Sequence, residues 1–364
     1  MSFPAARRMG VLLPAVLLAL SAGCEGPQRQ ARQVATEHWN RARAQVKARL
    51  AADQFAAGNV AAAAGELNEA ARLDPQNTAL APLRVRVLLA EGRIAQAAEL
   101  LEQTKLDGRS QAELDYLLGV VRQQQQRWEE ALDAFRRAGE LDAEEINYVT
   151  AAAQVLLQLG RPQEALDLLT SKAATFNWTS AYQATIAECH EQLGDWATAV
   201  TAWRAVADTP DADAGTRERL AVTLYQAGRY GDAIPVLLIL LNDGPPERTE
   251  CLRPLLVECY LAEGRVAAAR DQAQLAARAA PESPYVQRLL ARALAAVGDY
   301  PAALRVAQRA LTLSANDRAA LELVAALAWR VGNRELAGSA ARKLLERDGG
   351  NAVGQQIVQL VRGP

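Results

Sequence analysis

The stretch RWEEALDAFRRAGELD, residues 127–142, opens just after a turn and carries an alanine at its fifth place. The same plan returns in RPQEALDLLTSKAA from Arg161, DWATAVTAWRAVADTPD from Asp195 and DYPAALRVAQRALTL from Asp299. Followed along the chain, the alanines fall at Ala63, Ala97, Ala131, Ala165, Ala199, Ala233, Ala269, Ala303 and Ala337, spaced by 34 residues except for one step of 36. Twelve residues before each stands a small or β-branched residue: Ala51, Val85, Gly119, Ala153, Ala187, Ala221, Val257, Ala291 and Ala325. Between the two sets lies a glycine in every repeat but one, where Gln126 replaces it.

Two antiparallel helices approach to about 8 Å only where their crossing side chains are small, which accounts for the paired small positions. Glycine in the left-handed conformation ends the first helix of each pair at least steric cost. Leu50, Leu118, Ile186, Leu220, Leu256, Leu290 and Val324 precede the small residue of each first helix and are expected to be buried between repeats. A single helical hairpin cannot bury its own apolar face, so the repeats must stack.

With small residues at the eighth and twentieth places, glycine at the fifteenth and an aromatic at the seventeenth (Trp128, Trp196, Tyr230, Tyr300), the chain resembles the tetratricopeptide repeat family. The resemblance implies an all-α fold, a right-handed αα-superhelix (solenoid) of about nine hairpins starting near 44, 78, 112, 146, 180, 214, 250, 284 and 318. It divides the chain into residues 1–23, a tether over 24–30, the solenoid over 31–351 and a capping segment over 352–364, with 31–43 extending the first helix. The 36-residue step puts two extra residues into NDGPPERT, where a bend or a subdomain boundary is expected. Pro82 and Pro254, early in first helices, are expected to delay or bend them.

The N-terminus reads differently. Arg7 and Arg8, an apolar run from Met9 to Leu20 and the small residues before Cys24 follow the order of an export signal, and the run is too short to span a bilayer. LSAGC resembles the lipobox of bacterial lipoproteins, in which the cysteine is acylated and becomes the first mature residue, although Ser21 stands where the family usually has leucine. The resemblance implies lipidation at Cys24, an envelope location and, from Glu25, the outer membrane facing the periplasm; a secreted, non-lipidated adaptor is the alternative.

Chemistry is sparse. Cys189, Cys251 and Cys259 are odd in number and read as buried free thiols. Glu188, Cys189, His190 and Glu191 are consecutive, and neighbours on a helix point about 100° apart, so AECHEQ cannot converge on a metal. No phosphate loop or Cys-x-x-Cys pair is present, and the repeats consume the chain, so an enzyme, a cofactor and a small-molecule substrate are not expected. A net charge of −2 argues against a pentatricopeptide-type reader of nucleic acid, which needs a basic groove.

What remains is binding. In the resembled family, first helices line a concave groove through the second, fifth, ninth, twelfth and thirteenth places of each unit. Those places give Glu113, Tyr116, Gln123 and Gln124, then Asn147, Gln154 and Gln158, then Glu188, Glu191 and Gln192, then Glu218, Tyr225 and Gln226. The set is amide-rich and mildly acidic, suited to an extended backbone and lacking the cations of a C-terminal carboxylate clamp. Arg288 and Arg292, beside Tyr285, are the compact basic stretch, readable as a solvated helix face or as a surface for an acidic partner or a phosphate. The resemblances together imply a membrane-anchored scaffold for proteins or peptides of the bacterial cell envelope, in settings such as pilus or secretion assembly, outer-membrane assembly, peptidoglycan synthesis or polysaccharide export.

Overall fold

The structure, a computed structural model, describes the backbone at residues 13–176, 179–210, 212–243 and 246–362, and the side chains at 29–176, 179–210, 212–242 and 251–361. Among the described residues it is helical throughout, with no strand. The chain divides into two compact units, Met1–Arg161 and Pro162–Pro364.

The first unit holds α1 (Leu13–Ala56), α2 (Val60–Leu73), α3 (Ala81–Ala90), α4 (Ile94–Gln103), α5 (Gly108–Gln124), α6 (Trp128–Leu141) and α7 (Ile146–Gln158). They pack as the hairpins α1/α2, α3/α4 and α5/α6, with α7 against α6. The second unit begins with α8 (Pro162–Thr170) and the single turn α9 (Ala173–Phe176). Hairpins follow in α10 (Ser180–Leu193) with α11 (Trp196–Ala207), α12 (Ala214–Gln226) with α13 (Tyr230–Asp243), and α14 (Pro246–Ala262) with α15 (Val266–Ala279). The series ends in α16 (Pro284–Val297) with α17 (Tyr300–Leu313), α18 (Arg318–Arg330) with α19 (Arg334–Arg347), and α20 (Ala352–Arg362), which packs on both α18 and α19.

The repeat positions do what their sizes require. All nine alanines of the twentieth place are 0 % exposed, and the small residues of the eighth place are buried opposite them. Starts are fixed by caps: Asp195, Asp213, Ser283, Asp299, Asp317 and Asn333 each accept a hydrogen bond from a backbone N–H three residues on, which stabilises a helix by about 1 kcal/mol. Glycines close the first helices in the left-handed region, as at Gly194 (φ 75°) and Gly298 (φ 92°). Gln126 adopts the same conformation at φ 60°. A side chain there costs roughly 1–2 kcal/mol, less the backbone entropy that glycine loses on folding. Gln126→Gly is therefore expected to stabilise the first unit by about 0.5–1 kcal/mol, read as a higher midpoint in denaturant.

Several expectations are corrected. Residues 24–30, expected as a tether without helix, lie within α1, which runs through Gly26 and Pro27 and meets its first turn at Ala57. Residues 1–12 and the side chain of Cys24 lie outside the described residues. Leu50 is 39 % exposed because no hairpin packs before α1 among the described residues, whereas Leu220, Leu256 and Val324 are buried as expected. The long step after α13 is no boundary, for one apolar core runs through Ile234, Leu237 and Leu240 of α13 into Leu252 and Leu256 of α14. Pro82 sits at the start of α3, after the short 3-10 turn Thr78–Leu80, as a late-starting helix requires. Pro254, in contrast, lies inside α14, because the extra loop residues let the helix begin a turn earlier at Pro246, where proline is tolerated.

Cys189 and Cys259 are buried, and burial pushes their thiols up to about 12 and about 11. Cys251 is exposed, at a first-helix place facing away from the core. No helix among the described residues is long and apolar enough to cross a membrane.

Candidate functional site

In the second unit, α14, α16, α18 and α20 build one continuous lined surface. Glu258 of α14 is its hub. Tyr225 of α12 donates a short hydrogen bond to Glu258 Oε2, while Tyr285 Oη and Arg292 Nη1 of α16 each donate to Oε1 at 3.3 Å. The acceptor holds Tyr225 in its protonated form, pushing its phenol well above the usual range, and burial together with Glu258 pushes Tyr285 up as well. Both phenols therefore remain donors at neutral pH, fixed on one carboxylate that ties three successive first helices together.

Beside this hub Arg288 Nε lies 3.0 Å from Asp317 Oδ2, the residue that caps α18, and its guanidinium stands 5.7 Å from the Tyr285 ring centroid. On the far side Asn351 Nδ2 donates to Glu322 at 2.6 Å, and Arg318 lies within 3.2 Å of the same carboxylate. Between them opens a pocket of about 480 Å³, floored by Leu289, Leu323, Ala326 and Val353 and walled by Tyr285, Arg288, Arg292 and Glu322. Its lining follows the repeat: Glu258 is a ninth place, Tyr285, Arg288 and Arg292 are second, fifth and ninth, and so are Ala319, Glu322 and Ala326 one unit on. An apolar floor with oriented donors and acceptors at the rim is the make-up of a binding pocket.

The expected basic patch is corrected by these contacts. Arg288 and Arg292 face the pocket, but each already stands against a carboxylate of a neighbouring first helix, Asp317 at the cap of α18 for Arg288 and Glu258 at the ninth place of α14's repeat for Arg292. They order the wall more than they offer free positive charge.

The remaining groove residues divide between the two units. In the first, Glu113 pairs with Arg86, and Tyr116 is wedged between the rings of Phe135 and Tyr148 at 5.5 and 5.2 Å, so it packs more than it projects. Asn147 is exposed beside Glu145, Gln124, Gln154 and Gln158 are exposed, and Gln123 is half-buried. In the second, Glu191 is drawn inward: it accepts from Trp203 Nε1 at 2.8 Å and from Thr223, with Arg219 3.6 Å away. Glu188 pairs with Arg219 at 3.1 Å, Glu218 is half-buried, and Gln192 and Gln226 are exposed. His190 Nδ1 lies 3.1 Å from Asp195, and among the described residues no group of three potential ligands forms a metal site.

Reading the sequence missed Glu258, Asp317 and Glu322. The signal was present, since Glu258 and Glu322 stand at the ninth and fifth places of their repeats.

Comparison with known proteins agrees with this architecture. A family described as tetratricopeptide repeat matches residues 83–145 and 185–248. Cellulose synthase operon protein C of Pseudomonas fluorescens (strain SBW25) is 25 % identical over 283 residues, covering 73 % of this chain; the chain spans 22 % of that relative's length. Among solved structures, the C-terminal part of a TPR repeat-containing protein from Cytophaga hutchinsonii aligns with a TM-score of 0.54 and 15 % identity over 67 % of this chain and 99 % of its own. YrrB, described as a TPR protein with an unusual peptide-binding site, aligns with a TM-score of 0.47 and 15 % identity over 52 % of this chain and 97 % of its own. The 34-residue register, the hairpins it folds into and the matching segments converge on a chain that carries tetratricopeptide repeats.

Proposed function

We propose that this protein is a scaffold lipoprotein of the bacterial cell envelope, held to a membrane through Cys24 and gripping a protein segment in the pocket of its second unit. The observation that carries the reading is the pocket itself, whose walls repeat on successive first helices and whose donors are fixed before any partner arrives. Such preorganisation lowers the ordering cost of binding. The mode is binding by shape and hydrogen bonds, without catalysis, cofactor or nucleic acid. Lipidation and an outer-membrane, periplasm-facing location rest on LSAGC and Glu25. Among envelope settings, the similarity to a cellulose synthase operon protein favours machinery for polysaccharide export.

Ala326 is half-buried in the pocket floor, so Ala326→Arg fills the space without removing a core side chain. Crosslinking in intact envelopes, followed by purification, is expected to recover a partner with the wild type and about tenfold less of it with Ala326→Arg, the scale of losing a central contact. The variant's helical circular dichroism should be unchanged. Equal recovery from both forms would exclude the pocket as the site.

A further inference from the structure

The outward face of α1 carries a stripe that the repeats do not use. Ala44 and Ala51 of α1 are 0 % exposed against α2, and Lys47 reaches Glu66 at 2.6 Å, which fixes the inward face. At 100° per residue, Trp39, Val46 and Leu50 fall within about 40° of one another, on a flank turned about 80–140° from those inward residues. They are 64 %, 69 % and 39 % exposed. Arg32 and Arg43 run along one margin of this stripe and Arg49 along the other, all exposed and without an acidic partner among the described residues.

Charge is concentrated here. Residues 29–50 contain six Lys and Arg against the single acid Glu37, a net of +5 in a chain whose total is −2. An apolar rail with a tryptophan in it, edged by arginines whose stems can lie along it while their heads stay in water, fits an anionic phospholipid surface. A second copy of the chain would set Arg32, Arg43 and Arg49 against their own counterparts. Nucleic acid would use the arginines but leave Trp39, Val46 and Leu50 in water.

We infer that α1 lies on an anionic phospholipid membrane through Trp39, Val46 and Leu50, with Arg32, Arg43 and Arg49 at the headgroups. The inference stands on these residues and needs no acylation, so it can fail or hold independently of the proposed lipid anchor.

The test uses the chain with residues 1–24 replaced by a cleavable secretory signal, so that neither acylation nor the apolar run at residues 9–20 contributes, mixed with vesicles of phosphatidylethanolamine containing brominated phosphatidylglycerol. Subtracting the signal of the Trp39→Phe form isolates one tryptophan. Trp39 is expected to be quenched and blue-shifted, and to be released at about 1 M salt, where charges are screened beyond about 3 Å. Each basic residue at an anionic surface changes the bound-to-free ratio about fivefold, so Arg32→Gln, Arg43→Gln and Arg49→Gln together should lower it about a hundredfold. All three arginines are exposed, so folding should be unaffected. Every form lacks residues 1–24, so the difference between forms reads the stripe alone. Unchanged Trp39 fluorescence on adding vesicles, equal quenching in the triple variant, or tighter retention on RNA or DNA than on vesicles would each overturn the inference.

Discussion

Gly119→Val is expected to destabilise the first unit by about 3 kcal/mol, and Phe135→Leu added to it is expected to restore most of the loss. Gly119 lies within α5, where glycine would ordinarily cost about 1 kcal/mol relative to alanine, so its presence needs a reason. A Cβ at Gly119 would stand 2.5, 2.6 and 2.8 Å from three atoms along one edge of the Phe135 ring. That ring is 1 % exposed and in contact with Tyr116, with no free direction in which to retreat. Even the first added carbon therefore forces the ring off its position, and valine adds two more.

The rescue follows from the repeat. In the second repeat the same two places hold Val85 and Leu101, both in one buried cluster. Gly119→Val with Phe135→Leu recreates that pair in the third, exchanging volume across the same crossing. Chemical unfolding of the three forms gives the answer, and a double variant as unstable as Gly119→Val alone would show that the two sites do not compensate.

This pair also marks what the sequence made legible. The 34-residue period identified Gly119 as a crossing position and put Phe135 in the second helix of the same hairpin. It did not tell that the glycine was matched to the phenylalanine, since that depends on volumes packed in three dimensions. The site behaved alike. The places lining the pocket were readable, and Arg288 and Tyr285 fell where the register put them. Their partners came from neighbouring repeats, so an arginine that looks free in its own helix is paired with Asp317 across the hairpin boundary. Periodicity reports which face a residue occupies. Neutralisation is settled by what stands one repeat away, as Glu191 turned towards Trp203 and Thr223 also illustrates. Net charge misled in the same manner, because a total of −2 conceals the basic run in α1.

Cys24→Ala is expected to abolish incorporation of labelled fatty acid, which the wild type should take up at one cysteine. A single acyl chain gives reversible binding on the order of 10⁴ M⁻¹, whereas two or more make attachment effectively permanent, so lipidation and its loss differ by orders of magnitude in partition. Labelling reads the modification directly and is not confused by any membrane affinity of residues 9–20. Partition needs a second form, in which residues 1–24 are replaced by a cleavable secretory signal. That form should leave the membrane fraction when washed at high salt, because the α1 stripe alone would hold it through charges that salt screens. The wild type should stay until detergent dissolves the bilayer. The two devices thus separate by reagent, salt for the arginines and detergent for the acyl chains. Label on the Cys24→Ala form, or none on the wild type, would remove the anchor from the proposed function while leaving the pocket at Glu258 and the stripe on α1 to be judged by their own tests.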